Sequence, residues 1–209
     1  MNEYYKIYQE HKKEGRGPAF QYVLDTFAGS IDILEIGTLN SLNPSECGGA
    51  GWSTFWWCDY IKDNGGKLVI VDNREIAIEN CKIALEDFVG EIDIEFNLGD
   101  GKDFVSDEYD FIYLDGSDHA EEMVDQFNKI NRNKTSVLCD DFSQKGAQLI
   151  EENEMIKKEF DSEKDFGNDG LITKSFGNMT LLSIFNGVDP QDKYIKGHPL
   201  AFYHKIKND

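Results

Sequence analysis

The sequence predicts an α/β fold, a mainly parallel sheet covered by helices on both faces, and three observations carry that prediction. Short apolar runs alternate with amphipathic segments along most of the chain. Polar residues, chiefly acids and glycines, collect directly after each of the five apolar runs. Two further strand-like runs then flank Gly177-Asn178 near the end. Strands separated by helices imply right-handed crossovers and parallel pairing. A two-residue Gly-Asn connection between strand-like runs signals a tight hairpin.

In chain order, Glu3 to about Lys13 places Tyr4, Tyr5, Tyr8 and His11 at helical spacing, and Gly15-Arg16-Gly17 ends that helix. Pro18 suits the first turn of a second helix reaching about Phe27. Packing of these tyrosines onto the body is the expectation, with a lid over a substrate cavity as the alternative. Ile31-Asp32-Ile33-Leu34-Glu35-Ile36 is a compact strand, Trp52 to Ile61 a helix, and Lys67 to Val71 the second strand. Glu75 to Phe88 is amphipathic, with Ile76, Ile78, Ile83, Ala84 and Leu85 as its expected core positions. Ile92 to Phe96 and Tyr109 to Leu114 are strands three and four, and a helix through Met123, Phe127 and Ile130 follows. Ser136 to Cys139 is the fifth strand, and Ala147 to Phe160 a further helix. Leu171 to Phe176 and Met179 to Phe185 form the hairpin, and the stretch from about Gly187 reads as a surface tail.

A chain of 209 residues favours one domain. Forty acidic residues against 21 Lys and Arg leave a net charge of −19, which repels phosphate backbones and anionic lipid. Nucleic acid and membrane partners are disfavoured on that ground, and small molecules and metal cations fit better. Cys47, Cys58, Cys81 and Cys139 show no C-x-x-C spacing, and the polar N-terminus reads as no signal peptide, so a reduced, cytoplasmic setting is expected. No run of apolar residues is long enough for a membrane span. The sequence leaves homo-oligomerisation open.

In open α/β sheets, ligands bind beyond the carboxyl ends of the strands. Here Glu35 and Gly37 close the first strand, Asp72 follows the second, and Gly99-Asp100 the third. Asp115-Gly116-Ser117-Asp118-His119 follows the fourth, and Asp140-Asp141 the fifth. Asp72 is placed to accept hydrogen bonds from ribose hydroxyls, Gly37 lets a ligand approach the backbone, and Asp100 could receive an adenine amine. The first loop, Gly37-Thr38-Leu39-Asn40-Ser41-Leu42, has neither G-x-G-x-x-G nor the P-loop spacing. A cofactor with ribose and adenine but no phosphate is the better match.

Taken together, Ile33-Leu34-Glu35-Ile36-Gly37, Val69-Ile70-Val71-Asp72, Gly99-Asp100, Phe111 to Gly116 and Val137 to Asp141 resemble class I S-adenosylmethionine-dependent methyltransferases. The resemblance spans 30–186 and implies a Rossmann-like, seven-stranded sheet in the order 3-2-1-4-5-7-6, with a helical cap over 1–28 and a tail over 187–209. It further implies S-adenosylmethionine held by Glu35 and Gly37 on the methionine side, Ser53 at the cofactor carboxylate, Asp72 at the ribose and Asp100 at the adenine, with Asp115 as a further cofactor-binding residue. The lengthened loop through Asn40, Pro44, Cys47 and Gly48-Gly49 departs from the family pattern. Trp52, Trp56 and Trp57 read as core or pocket wall.

Asp115 with Asp140 and Asp141 places three carboxylates at adjacent strand ends, where like charges conflict unless a cation joins them. An all-oxygen set suits Mg²⁺, with Mn²⁺ or Ca²⁺ as alternatives. The arrangement resembles metal-dependent O-methyltransferases of the catechol and macrolide-sugar kind, which implies a small-molecule hydroxyl acceptor. Their commoner Asp-Gly-Ser-His pattern reads Asp-Gly-Ser-Asp-His here, so His119 and Asp118 both stand as candidate bases. Helix capping is the competing role for Asp118, and for one of Asp140 and Asp141. His11, His198 and His204 sit in no motif and read as surface residues. The competing functions are a metal-independent methyltransferase, a non-catalytic ligand-binding protein of the same fold, and a dehydrogenase, the last opposed by the missing phosphate loop.

Overall fold

Ile31–Ile36 (β1) is apolar at every position but Asp32 and Glu35, and a strand of that kind belongs at the centre of a sheet covered on both faces. The computed structural model places it there; it describes residues 2–13, 16–44, 52–116, 120–140, 171–176, 179–184 and 200–204. β1 pairs in parallel with Gly66–Asp72 (β2) on one side and Phe111–Leu114 (β4) on the other. Asp93–Leu98 (β3) extends the sheet beyond β2, and Ser136–Cys139 (β5) beyond β4, both in parallel. Because every strand enters from the same side, Gly37, Asp72, Gly99, Asp115 and Asp140 all emerge at one edge.

The expected hairpin forms between Leu171–Phe176 (β6) and Met179–Ile184 (β7), antiparallel, with Phe176 opposite Met179. Its place in the sheet differs from the expectation. Leu200–Tyr203 (β8) lies antiparallel between β5 and β7, giving eight strands in the order β3-β2-β1-β4-β5-β8-β7-β6. The stretch read as a surface tail therefore contains an interior strand, with Phe202 fully buried. Four residues are too few for alternation to separate a strand from a polar tail.

The sheet alternation sorts the core into two layers. Ile33, Leu68, Ile70, Phe111, Tyr113 and Leu138 face Gly17–Leu24 (α2), Ser53–Asn64 (α3) and Glu75–Ala84 (α4). Leu34, Ile36, Val69, Val71, Ile112 and Val137 face Ala120–Lys129 (α5) through Met123, Val124 and Phe127. In α4 the expected core is partly corrected. Ile76 and Ile83 are 60% and 50% exposed, while Ala77, Ile78, Cys81, Ala84 and Leu85 are buried. Small side chains on that face let the helix lie close to the strands, and the two isoleucines one heptad apart fall on its flank.

Glu3–His11 (α1) packs as the sequence implies, its Tyr8 buried and stacked 5.1 Å from Phe55. Tyr5 and Tyr8 donate to the two carboxylate oxygens of Asp59 on α3, at 2.7 and 3.1 Å. Gly17 is the pivot between α1 and α2: a Cβ there would lie 1.9 Å from the Lys12 carbonyl oxygen. No helix among the described residues is long and apolar enough to cross a membrane.

Trp57 is the keystone of the α2–α3 layer, fully buried, with ring centres 5.1 Å from Phe111, 5.4 Å from Tyr113 and 5.4 Å from Phe20. Trp57→Ala is expected to lower the unfolding free energy by about 3–5 kcal/mol, read from urea denaturation.

Candidate functional site

A cavity of about 120 Å³ opens at the carboxyl edge of the sheet, lined by Gly37, Asp72, Asp100, Gly101, Gly116 and Asp125 among others. Its floor is built from glycines pressed onto β1. Gly37 has φ +85°, and a Cβ there would lie 2.6 Å from the Asp115 carbonyl and the Gly116 Cα. Cβ atoms at Gly101 and Gly116 would meet the Ile36 side chain at 2.3 and 2.6 Å. A side chain at these positions would displace the Asp115 backbone or the Ile36 side chain, so the glycines let the strand-end loops press closely onto β1 beneath the cavity.

Asp72 and Asp100 face this cavity, as the sequence predicts. The Asp72 side chain is 2% exposed, and Thr38 N–H donates to its Oδ2 at 3.1 Å. Arg74, at the first turn of α4, donates to the same carboxylate from its backbone N–H, Nε and Nη2 at 2.9, 2.9 and 2.8 Å. Asp100 is half-exposed, paired with Lys102 Nζ at 2.7 Å, and that ammonium holds its carboxyl below the usual range. Arg74 and Lys102, both unmarked by the sequence reading, share one signal: a cation two residues after a strand-end acid.

Glu35 and Ser53 stand elsewhere. Alternation turns Glu35 onto the α3 face, away from the cavity floor formed by Ile36 and Gly37. There it accepts from Ser53 Oγ at 2.9 Å, Thr54 Oγ1 at 2.6 Å and Trp57 Nε1 at 2.9 Å. The Ser53 hydroxyl placed at the cofactor carboxylate by resemblance is thus engaged with Glu35 and buried. Thr54 Oγ1 lies 3.0 Å from Thr38 Oγ1, which donates to Cys81 Sγ at 3.1 Å. Since the Thr38 amide bonds Asp72, a continuous polar path joins the buried acid to the cavity wall. Burial pushes the Glu35 carboxyl up from 4.5 to about 8, outweighing its three hydrogen bonds.

At the β4 and β5 ends, Asp140 is fully buried, Tyr113 Oη donates to it at 2.7 Å, and the Arg16 guanidinium pairs with it. Burial first, then the charges of Asp115 and Asp140, drives the Tyr113 phenol well above its ordinary range, which keeps it a donor. Asp115 is half-buried beside Gly37. Of the proposed metal trio, Asp141 lies outside the described residues, as do the candidate bases Asp118 and His119. Among the described residues no group of three His, Cys, Asp or Glu is arranged to hold a metal ion. Arg16 and Tyr113 carried no sequence signal, because their partner is 124 and 27 positions away.

No family model matches the chain, and no curated protein does. Solved structures do. A methyltransferase from Geobacter sulfurreducens aligns over 98% of this chain and 90% of its own, at 10% identity and a TM-score of 0.51. A precorrin-6Y C5,15-methyltransferase from Geobacter metallireducens GS-15 aligns over 91% and 89%, at 9% identity and the same TM-score. The chain therefore has the Rossmann-like α/β fold that these methyltransferases share.

A carboxyl raised by the fold is held protonated, so the folded state binds more protons than the unfolded one between about pH 4.5 and 8. Its contribution to stability falls as pH rises through that window. Glu35→Gln, which keeps the side chain's shape and does not titrate, is expected to gain thermal stability relative to wild type from pH 5 to pH 8.5, measured by calorimetric melting. A difference that stays constant with pH would show that Glu35 is ionised in the folded protein.

Proposed function

We propose that this chain is an S-adenosylmethionine-dependent methyltransferase acting on a small-molecule acceptor. The observation that carries the reading is the pair of carboxylates, Asp72 and Asp100, on a glycine-floored cavity at the ends of adjacent strands. A ribose diol suits Asp72 and an exocyclic amine suits Asp100, and the first loop lacks the glycine spacing of a phosphate cradle. The cavity's volume is below the ~300–1000 Å³ of a complete small-molecule site, so only part of such a cofactor would lie within it. Bound there, S-adenosylmethionine would supply an electrophilic methyl group.

The chain's own residues would bind, orient and compensate charge. Gly37, Gly101 and Gly116 give the close backbone approach, Asp72 and Asp100 fix the nucleoside, and the acceptor end lies toward Asp115 and Asp140. The Arg16 guanidinium and the Tyr113 hydroxyl already compensate Asp140, so this corner has a cation built into the fold. The finer reading, divalent-metal-assisted O-methylation of a hydroxyl with Asp118 or His119 as base, rests on the Asp115, Asp140 and Asp141 pattern and requires Arg16 to release Asp140.

Calorimetric titration with S-adenosylhomocysteine tests the first reading. Wild type is expected to bind, and Asp72→Ala to bind about 10–100-fold more weakly, as for loss of charged hydrogen bonds. No binding by folded wild type would remove it in favour of a ligand-binding protein of another specificity. Turnover of hydroxyl acceptors in chelator then separates the two forms: retained activity fits compensation by Arg16, and activity restored only by Mg²⁺ fits the metal form.

A further inference from the structure

An ionised carboxylate has about four acceptor positions, and in Asp72 all four are filled. Oδ1 accepts from the Arg74 amide and Nε, and Oδ2 from the Thr38 amide and Arg74 Nη2. A ribose diol needs two of these positions. The two amides cannot yield them. Thr38 follows Gly37, whose N–H is held by the Val71 carbonyl at 2.8 Å, and the Arg74 carbonyl accepts from Ala77 and Ile78 at 3.1 and 3.3 Å in the first turn of α4. The guanidinium is the movable partner, since the Arg74 side chain is 49% exposed on a flexible stem while Asp72 is 2% exposed.

We propose that Arg74 is a latch on the ribose acid: its guanidinium occupies the two carboxylate positions that a ribose diol would take, and it swings out when the nucleoside binds. This rests on the cofactor reading above and names the residue that sets affinity at that site. The exchange replaces a two-armed charged fork by a two-armed neutral diol. A ligand that offers one donor leaves the buried carboxylate poorer than Arg74 does, so the latch sets a threshold that single hydroxyls and amines do not pass. In the empty protein it also keeps a buried anion from standing uncompensated in a strongly acidic molecule.

The test is calorimetric titration of S-adenosylhomocysteine into wild type, Arg74→Met and Arg74→Lys, each checked for folding by thermal melting. Methionine retains the apolar stem and removes the fork; lysine retains the charge without the paired geometry. The expected result is that Arg74→Met binds about 3–30-fold more tightly than wild type, with Arg74→Lys between them. Wild-type affinity should also rise with salt, which screens the competing pair, while that of Arg74→Met stays flat. Binding to Arg74→Met at equal or lower affinity than to wild type overturns the latch and leaves the cofactor reading standing. Absence of binding to any folded variant removes both.

Discussion

The carboxyl of Glu35, buried between the sheet and the third helix, is the constraint on which most of this structure turns. An acid in an apolar layer is tolerated only where donors surround it. Here all three, Ser53, Thr54 and Trp57, come from the first turns of α3. That requirement fixes the rotation of α3 and its distance from β1. Trp57, held by its indole N–H, then presents its ring to Phe20, Phe111 and Tyr113, and so seats α2. With α2 in place, Arg16 at its start reaches Asp140. One buried acid in the central strand thereby organises contacts at both ends of the cavity edge.

Along that edge each described pair repeats one solution to one problem. Parallel strands deliver their terminal acids to the same side, and unpaired carboxylates so gathered would raise one another's proton affinity. Asp72 is answered by Arg74, Asp100 by Lys102 and Asp140 by Arg16. The three differ in burial, and therefore in what they do. Lys102 and Asp100 are both about half-exposed, so that pair is screened and weakly held. Arg16 and Asp140 are enclosed, and removing either partner would leave an uncompensated buried charge. Arg74 and Asp72 lie between, a buried acid under an exposed cation, which is the combination that allows exchange.

The sheet was legible from the sequence because apolar runs bounded by acids and glycines carry their own period and punctuation. Strands one to five stand in the expected order, and the hairpin forms where expected along the chain but one strand further out in the sheet. β8 was not legible, because its four residues follow a polar stretch and both strands it pairs with, β5 and β7, are distant along the chain. The inward face of α4 was legible at Ile78, Ala84 and Leu85 and missed at Ile76 and Ile83, whose places on that face are taken by the smaller Ala77 and Cys81. In the site, Gly37, Asp72, Asp100, Asp115 and Asp140 stand at the predicted edge. The missing information was which way Glu35 points and which cations answer the acids. Strand alternation carried the first, since Glu35 shares the parity of Ile33, which packs beneath α3. The partner of Asp140 needed the fold itself. Asp118, His119, Asp141, Cys47 and the helix expected over 147–160 lie outside the described residues.

The charge of the edge also bears on the direction of the proposed reaction. Glu122 and Asp125 on α5 line the cavity with Asp72 and Asp100, and among the described residues Lys102 is the one cation in that lining. Such a wall favours a ligand carrying a positive centre over its neutral counterpart. S-adenosylmethionine carries a sulfonium that methyl transfer removes, so the product meets the same wall with one charge fewer. On the proposed reading, long-range attraction would be weaker for the product than for the charged cofactor, while hydrogen bonds to ribose and adenine would be unchanged. In that arrangement the paired cations are not incidental. They moderate a field that would otherwise hold any cation, and leave the nucleoside contacts to decide which one stays.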